Sequence, residues 1–168
     1  MKINRGVEWA AHACTLLAAL PQDWTLSAEA LADYHNVPPA YMAKQMQALS
    51  QAGIVVSRRG AVGGYSLAKS PKEISLWNIM AAVEGSGPAF RCTEIRQNGP
   101  CGAKAKDCKK PCGIAASFFK AEQAFKDVLS QVTLLDMIHD AAASSTPEKA
   151  VKIADWIKEN SANQRTQK

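Results

Sequence analysis

Apolar residues recur at helical spacing from the start of the chain. Val7, Ala11, Cys14, Leu17 and Ala18 lie on one stripe, which predicts an amphipathic helix over residues 4–20, ended by Pro21. Ser27 is a natural N-cap with Glu29 in the following turn, and it opens a short helix over residues 28–34 that turns Leu31 inward. His35-Asn36-Val37-Pro38-Pro39 interrupts the pattern, and the prolines suit the first positions of a third helix over residues 39–52. Met42, Met46 and Leu49 form its inner stripe, and Tyr41, Lys44, Gln45 and Ala48 a second one, predicted to face outward; Gly53 suits the left-handed residue beyond its end.

The period then changes. Residues 54–58 and 64–67 read as two strands joined by a glycine-rich turn, and residues 76–84 as a fourth helix closed by Gly85-Ser86-Gly87-Pro88. Residues 90–111 have no steady period, and a loop of that length inside a compact fold points to function or disorder. Beyond it, Phe118, Ala121, Phe125, Val128, Val132 and Leu135 predict one long helix over residues 113–139. A small domain cannot cover such a seam alone, so a second copy of the chain is expected to pair with it. A hinge at 141–145, a helix over 146–160 and a polar tail over 161–168 complete the chain, and no internal repeat is present.

The predicted fold class is therefore mainly α with a small β-hairpin: a winged helix-turn-helix over residues 1–89, a cysteine-rich loop over 90–112 and a dimerisation helix over 113–140. The chain has 168 residues, 47% of them hydrophobic, enough for a real core. No apolar run is long enough to span a membrane. The charged, amphipathic start does not read as a secretory signal, so a cytoplasmic protein is expected. The net charge of +5 suits nucleic-acid binding without demanding it. No nucleophile–base arrangement and no phosphate loop appears, and an enzyme is not expected.

In a helix-turn-helix the second helix of the pair enters the major groove, here the one that carries Tyr41, Lys44 and Gln45. Lys44 can reach a phosphate or a guanine edge, and Gln45 has the donor and acceptor that read adenine. Taken singly, each is equally an ordinary solvated residue. The hairpin adds weight, because Arg58 and Arg59 precede a tip in which Gly63 and Gly64 allow close approach to the backbone of double-stranded DNA.

Four of the five cysteines fall in the irregular loop, as Cys92, Cys101, Cys108 and Cys112. The tight Cys-x2-Cys knuckles of structural zinc are absent, and thiolates in a glycine-containing loop suit an iron–sulfur cluster better. Arg91, Arg96, Lys104, Lys106, Lys109 and Lys110 would offset its negative charge. A set of free or disulfide-switching thiols is the alternative. Glu8 and His12 share a face of the first helix; spacing alone favours a solvated, helix-supporting pair, although both side chains are competent iron ligands.

The chain resembles the bacterial IscR/NsrR/RsrR family of winged-helix iron–sulfur regulators over about residues 1–138. The resemblance rests on Ala43-Lys44-Gln45-Met46-Gln47-Ala48-Leu49-Ser50-Gln51-Ala52-Gly53, on Arg59-Gly60-Ala61-Val62-Gly63-Gly64-Tyr65, on Ala82-Val83-Glu84-Gly85, and on the cysteine loop with its long helix. Gly6-Val7-Glu8-Trp9-Ala10-Ala11-His12 is similar to the redox-sensing RsrR type. That type holds a 2Fe–2S cluster with two loop cysteines of one chain and a Glu and a His from the first helix of the other. The resemblance implies Cys108, Cys112, Glu8 and His12 as ligands, with Cys92 and Cys101 as second-tier candidates. A three-cysteine 4Fe–4S cluster sensing nitric oxide or iron is the alternative within the family. Ala115 stands where that type has a further His, which counts against it. The implied function is a homodimeric regulator, read as a repressor, that binds a palindromic operator with an affinity set by its cluster. A thiol-switched regulator without metal and a protein–protein adaptor are the rivals from other classes.

Overall fold

The structure, a computed structural model, describes residues 3–60 and 63–163. Helix α1 (Arg5–Ala18) starts where the Asn4 side chain accepts the Gly6 N–H, and it is followed by strand β1 (Trp24–Thr25). Helix α2 (Ala28–His35) is capped by Ser27 and ends at Asn36 in the left-handed region. Helix α3 (Pro39–Gln51) begins on a proline, which loses no hydrogen bond there, and Gly53 beyond it has φ +66°. Strands β2 (Val55–Arg58) and β3 (Gly64–Leu67) pair antiparallel, Val55 opposite Leu67 and Arg58 opposite Gly64. Helix α4 (Leu76–Glu84) has a capping box formed by Ser75 and Asn78. Three helices followed by a two-stranded hairpin is the winged helix-turn-helix order expected from the sequence.

Leu26, Leu31, Met42, Met46, Leu49, Ile74 and Ile79 have no more than 1% of their surface exposed. They join α1–α4 into one core, with the inner stripe of α3 buried as its period predicts. Leu26 and Tyr65 exchange backbone hydrogen bonds, which ties the chain beyond β1 to the hairpin.

The predicted single helix over residues 113–139 is corrected: it is two helices, α5 (Gly113–Gln131) and α6 (Leu134–Ala143). The Thr133 hydroxyl accepts the Asp136 N–H while the Asp136 carboxylate accepts the Thr133 N–H, a reciprocal cap that starts a helix afresh. Backbone bonds from Leu76 to the Val132 carbonyl and from Leu134 to the Ile74 carbonyl fasten this break to the edge of α4. Leu134 is fully buried in the first four helices' core. The apolar seam thus serves two surfaces. On α5 it is open, with Phe118 52% and Val128 61% exposed, while α6 turns Leu134, Met137 and Ile138 into the core instead of the predicted Leu135.

Helix α7 (Pro147–Asn160) and strand β4 (Ala162–Asn163) return to the winged domain. Ile157 is 4% exposed, Trp156 packs edge-on against Tyr34 at 4.7 Å, and β4 pairs antiparallel with β1. The predicted polar tail therefore begins as paired backbone, and its residues 164–168 lie outside the described residues, as do 61 and 62 of the wing turn. Among the described residues no helix is long and apolar enough to cross a membrane.

Candidate nucleic-acid interface and cysteine loop

Of the residues predicted to meet DNA, Tyr41 is 58% exposed and Lys44 is exposed on the outer face of α3. Gln45 is not on that face. It is 6% exposed and lies under α1, where a Cβ on Gly6 would come within 2.8 Å of its amide. The absent side chain of Gly6 makes the slot that Gln45 fills, so its assignment as a base-reading group on the outer face is corrected. Trp9 meets Tyr41 edge-on, with ring centroids 6.0 Å apart, so α1 touches the recognition helix at two points.

The wing turns where the Gly63 N–H donates to the Gly60 carbonyl at 2.8 Å. Only glycine fits at 63, because a Cβ would lie 2.7 Å from two backbone oxygens. Gly64 at the start of β3 lies similarly close to the Leu26 carbonyl, and Arg59 is exposed beside the turn. Lys44 and Arg59 are exposed cations, one on α3 and one beside the hairpin turn.

Glu8 and His12 are exposed on α1. His12 lies 5.8 Å from His35, ring to ring, and burial pushes the His35 imidazole below its usual 6.5. Cys14, on the inner side of the same helix, is fully buried, and desolvation pushes its thiol up to about 12, which makes it an inert core residue.

The cysteine loop crosses from α4 to α5. Its start is pinned by Phe90, which stacks on Phe118 at 4.6 Å, and by Glu122, whose carboxylate accepts the Ala89 N–H at 2.8 Å. Cys92 and Cys101 are exposed; Cys108 and Cys112 are half-buried. Cys112 is the N-cap of α5, its sulfur accepting the Ala115 N–H at 3.4 Å, so the positive end of that helix faces the sulfur. Arg96 reaches the same region: its guanidinium donates to the Lys110 carbonyl at 2.8 Å and lies within electrostatic reach of Cys108 and Cys112. Hydrogen bonds from Arg96 hold the Glu94 carboxyl below the usual carboxylate range.

Among the described residues of one chain, no three His, Cys, Asp or Glu side chains come together as metal ligands. The predicted donors remain two separate groups, Glu8 and His12 on α1 and the thiols on the loop. The Gly6–Gln45 slot, the Trp9–Tyr41 contact and the Glu94–Arg96 pair had escaped the sequence. An acid two residues before an arginine is the only signal for the last, and it is a weak one.

A family model described as "Rrf2: Iron-dependent Transcriptional regulator" matches residues 3–140. The chain is 37% identical to the HTH-type transcriptional regulator YwgB of Bacillus subtilis over 157 residues, covering 94% of this chain and 95% of that one. It is 34% identical to the regulator YffB of Lactococcus lactis, over 80% and 85% of the two chains. Among solved structures, IscR of T. potens superposes with a TM-score of 0.64 at 25% identity, over 87% of this chain and 93% of that one. CymR, the global cysteine regulator of B. subtilis, has the same fold, with a TM-score of 0.63 at 23% identity over 83% and 97%.

Proposed function

The chain belongs to the Rrf2 family of helix-turn-helix transcriptional regulators, and from that premise we propose that it is a homodimer whose affinity for a palindromic operator is set by an iron–sulfur cluster shared between two chains. The observation that carries this reading is the division of the donors. Each chain presents a carboxylate and an imidazole on α1 and, apart from them, two half-buried thiols, Cys112 at the start of α5 and Cys108 in the loop before it. Neither group alone completes a site, and a second copy supplies the missing half to each. The open apolar side of α5, with Phe118 and Val128, is the surface on which that copy would pack.

The donor chemistry suits a 2Fe–2S cluster: Cys108 and Cys112 would hold it together with Glu8 and His12 of the partner subunit. When bound, the group supplies a one-electron redox centre whose net charge changes with its state. Helix α1 carries two of the ligands and rests on α3 through Gly6 against Gln45 and Trp9 against Tyr41. Any displacement of α1 therefore reaches the recognition helix. Lys44 and Arg59 hold phosphates and fix the register, while the exposed side of α3 around Tyr41 reads bases. Two such helices must match half-sites about 34 Å apart, so a small shift lowers affinity. A coupling of about 1–3 kcal/mol gives a 5–150-fold change in operator binding.

Anaerobically purified full-length protein is expected to be coloured and to contain iron and acid-labile sulfide. Glu8→Ala and His12→Ala are expected to change its visible spectrum while the dimer stays folded. Protein without iron that still binds DNA, and releases it on oxidation, would instead establish the thiol switch; exposed Cys92 and Cys101 favour that second reading. Unchanged spectra in both variants would move ligation to the four loop cysteines.

A further inference from the structure

The cysteine loop has almost no buried apolar side chain to hold its shape, so its form rests on polar contacts. These converge on one residue. Arg96 donates through Nε and Nη2 to the two carboxylate oxygens of Glu94, at 2.5 and 2.7 Å, and again through Nη2 to the Lys110 carbonyl at 2.8 Å. The Ala103 N–H donates to the Arg96 carbonyl at 2.8 Å. The Glu94 N–H lies 3.4 Å from the Cys92 sulfur, donating to it. Glu94 itself stands at φ +52°, a left-handed conformation that a non-glycine residue adopts at a cost, and such strain gathers at functional sites. The Arg96 side chain as a whole is about two-thirds covered. It thereby fastens residues 94–98 to Lys110, midway between Cys108 and Cys112.

We propose that Arg96 is a positioning residue that folds Cys108 and Cys112 into one two-thiol arm and serves as the internal counter-charge of the cluster they hold, with Glu94 setting how much of that charge is felt. This rests on the cluster reading above. Two thiolates and a carboxylate around a 2Fe–2S group leave it negative, and one electron makes it more so. A fixed cation stabilises the more negative state more strongly, which raises the reduction potential. A carboxylate clasping that cation cancels part of the effect.

The test is a potentiometric titration of reconstituted full-length protein with dithionite, followed by visible absorption, with iron counted per chain. Arg96→Gln is expected to lower the midpoint potential and Glu94→Gln to raise it. Arg96→Lys keeps the charge without the fork, so its potential should stay near that of the wild type while iron is lost several-fold faster to a chelator. Potentials that stay unmoved, or that move the same way in both neutral variants, overturn the proposal. Should Arg96→Gln not hold iron, a Glu94→Gln potential no higher than that of the wild type, or an Arg96→Lys protein that keeps iron as long as the wild type, overturns the proposal. A wild type that binds no iron overturns the cluster reading and this proposal together, a result distinct from a loaded wild type with unresponsive potentials.

Discussion

At Gly6 the first helix carries no Cβ, and the amide of Gln45 occupies the space. Helical period places Gln45 beside Tyr41 and Lys44, and period alone says nothing of what lies across from it. The burial was invisible in the sequence because its cause is an absence thirty-nine positions away. Arg59 presents the opposite case, since its place beside the wing turn followed from local glycine chemistry alone. Arg59→Ala is expected to weaken binding to all sequences alike. The salt dependence of log K should flatten by about one unit of slope per wing, as measured by fluorescence anisotropy between 50 and 200 mM salt. Unequal losses on specific and random duplexes would mean that Arg59 reads bases.

Among the elements, α1–α4 and the hairpin were legible almost to the residue, because each is bounded by its own cap, proline or glycine and each buries a single stripe. The break at Val132–Thr133 was not. Its capping box, Thr133 and Asp136, stands in the sequence, yet apolar residues continue straight through it because α6 brings a stripe of its own, Leu134, Met137 and Ile138, to the core. Asp136 titrates below its ordinary 3.8 through bonds from the Thr133 hydroxyl and N–H. A depressed carboxyl contributes stability above the unfolded value and loses it as pH falls through the folded one. The gap in thermal midpoint between wild type and Asp136→Ala should accordingly be open at pH 7 and close in acid. Helix α7 is held by Ile157, so Ile157→Ala should cost about 2–4 kcal/mol in urea unfolding. A loss near zero would show that α7 adds little to the core.

For the molecule as a whole, the open side of α5 dominates. Val128 is 61% exposed, although it lies on the same helix as the half-buried Phe125. Val128→Asp is expected to turn a dimer into a monomer in sedimentation equilibrium and to reduce operator affinity at least tenfold, with the circular dichroism of each chain unchanged. A variant that stays dimeric would place the interface elsewhere. The sequence led to the expectation of a partner for the α5 face and of chemistry at the loop thiols, and both remain part of the proposal. The division of donors between two chains was implied by the family resemblance and by nothing in the spacing of the residues themselves, because period does not say which elements lie side by side.

The pairing of β4 with β1, next to the backbone exchange between Leu26 and Tyr65, has a practical corollary. A fluorescent reporter placed beyond Asn163 would be anchored through β4, which pairs with β1 one residue before the backbone exchange with the hairpin proposed to meet DNA. Such a fusion is expected to load the hairpin as well as report on it, so operator affinities are best measured on chains that carry none.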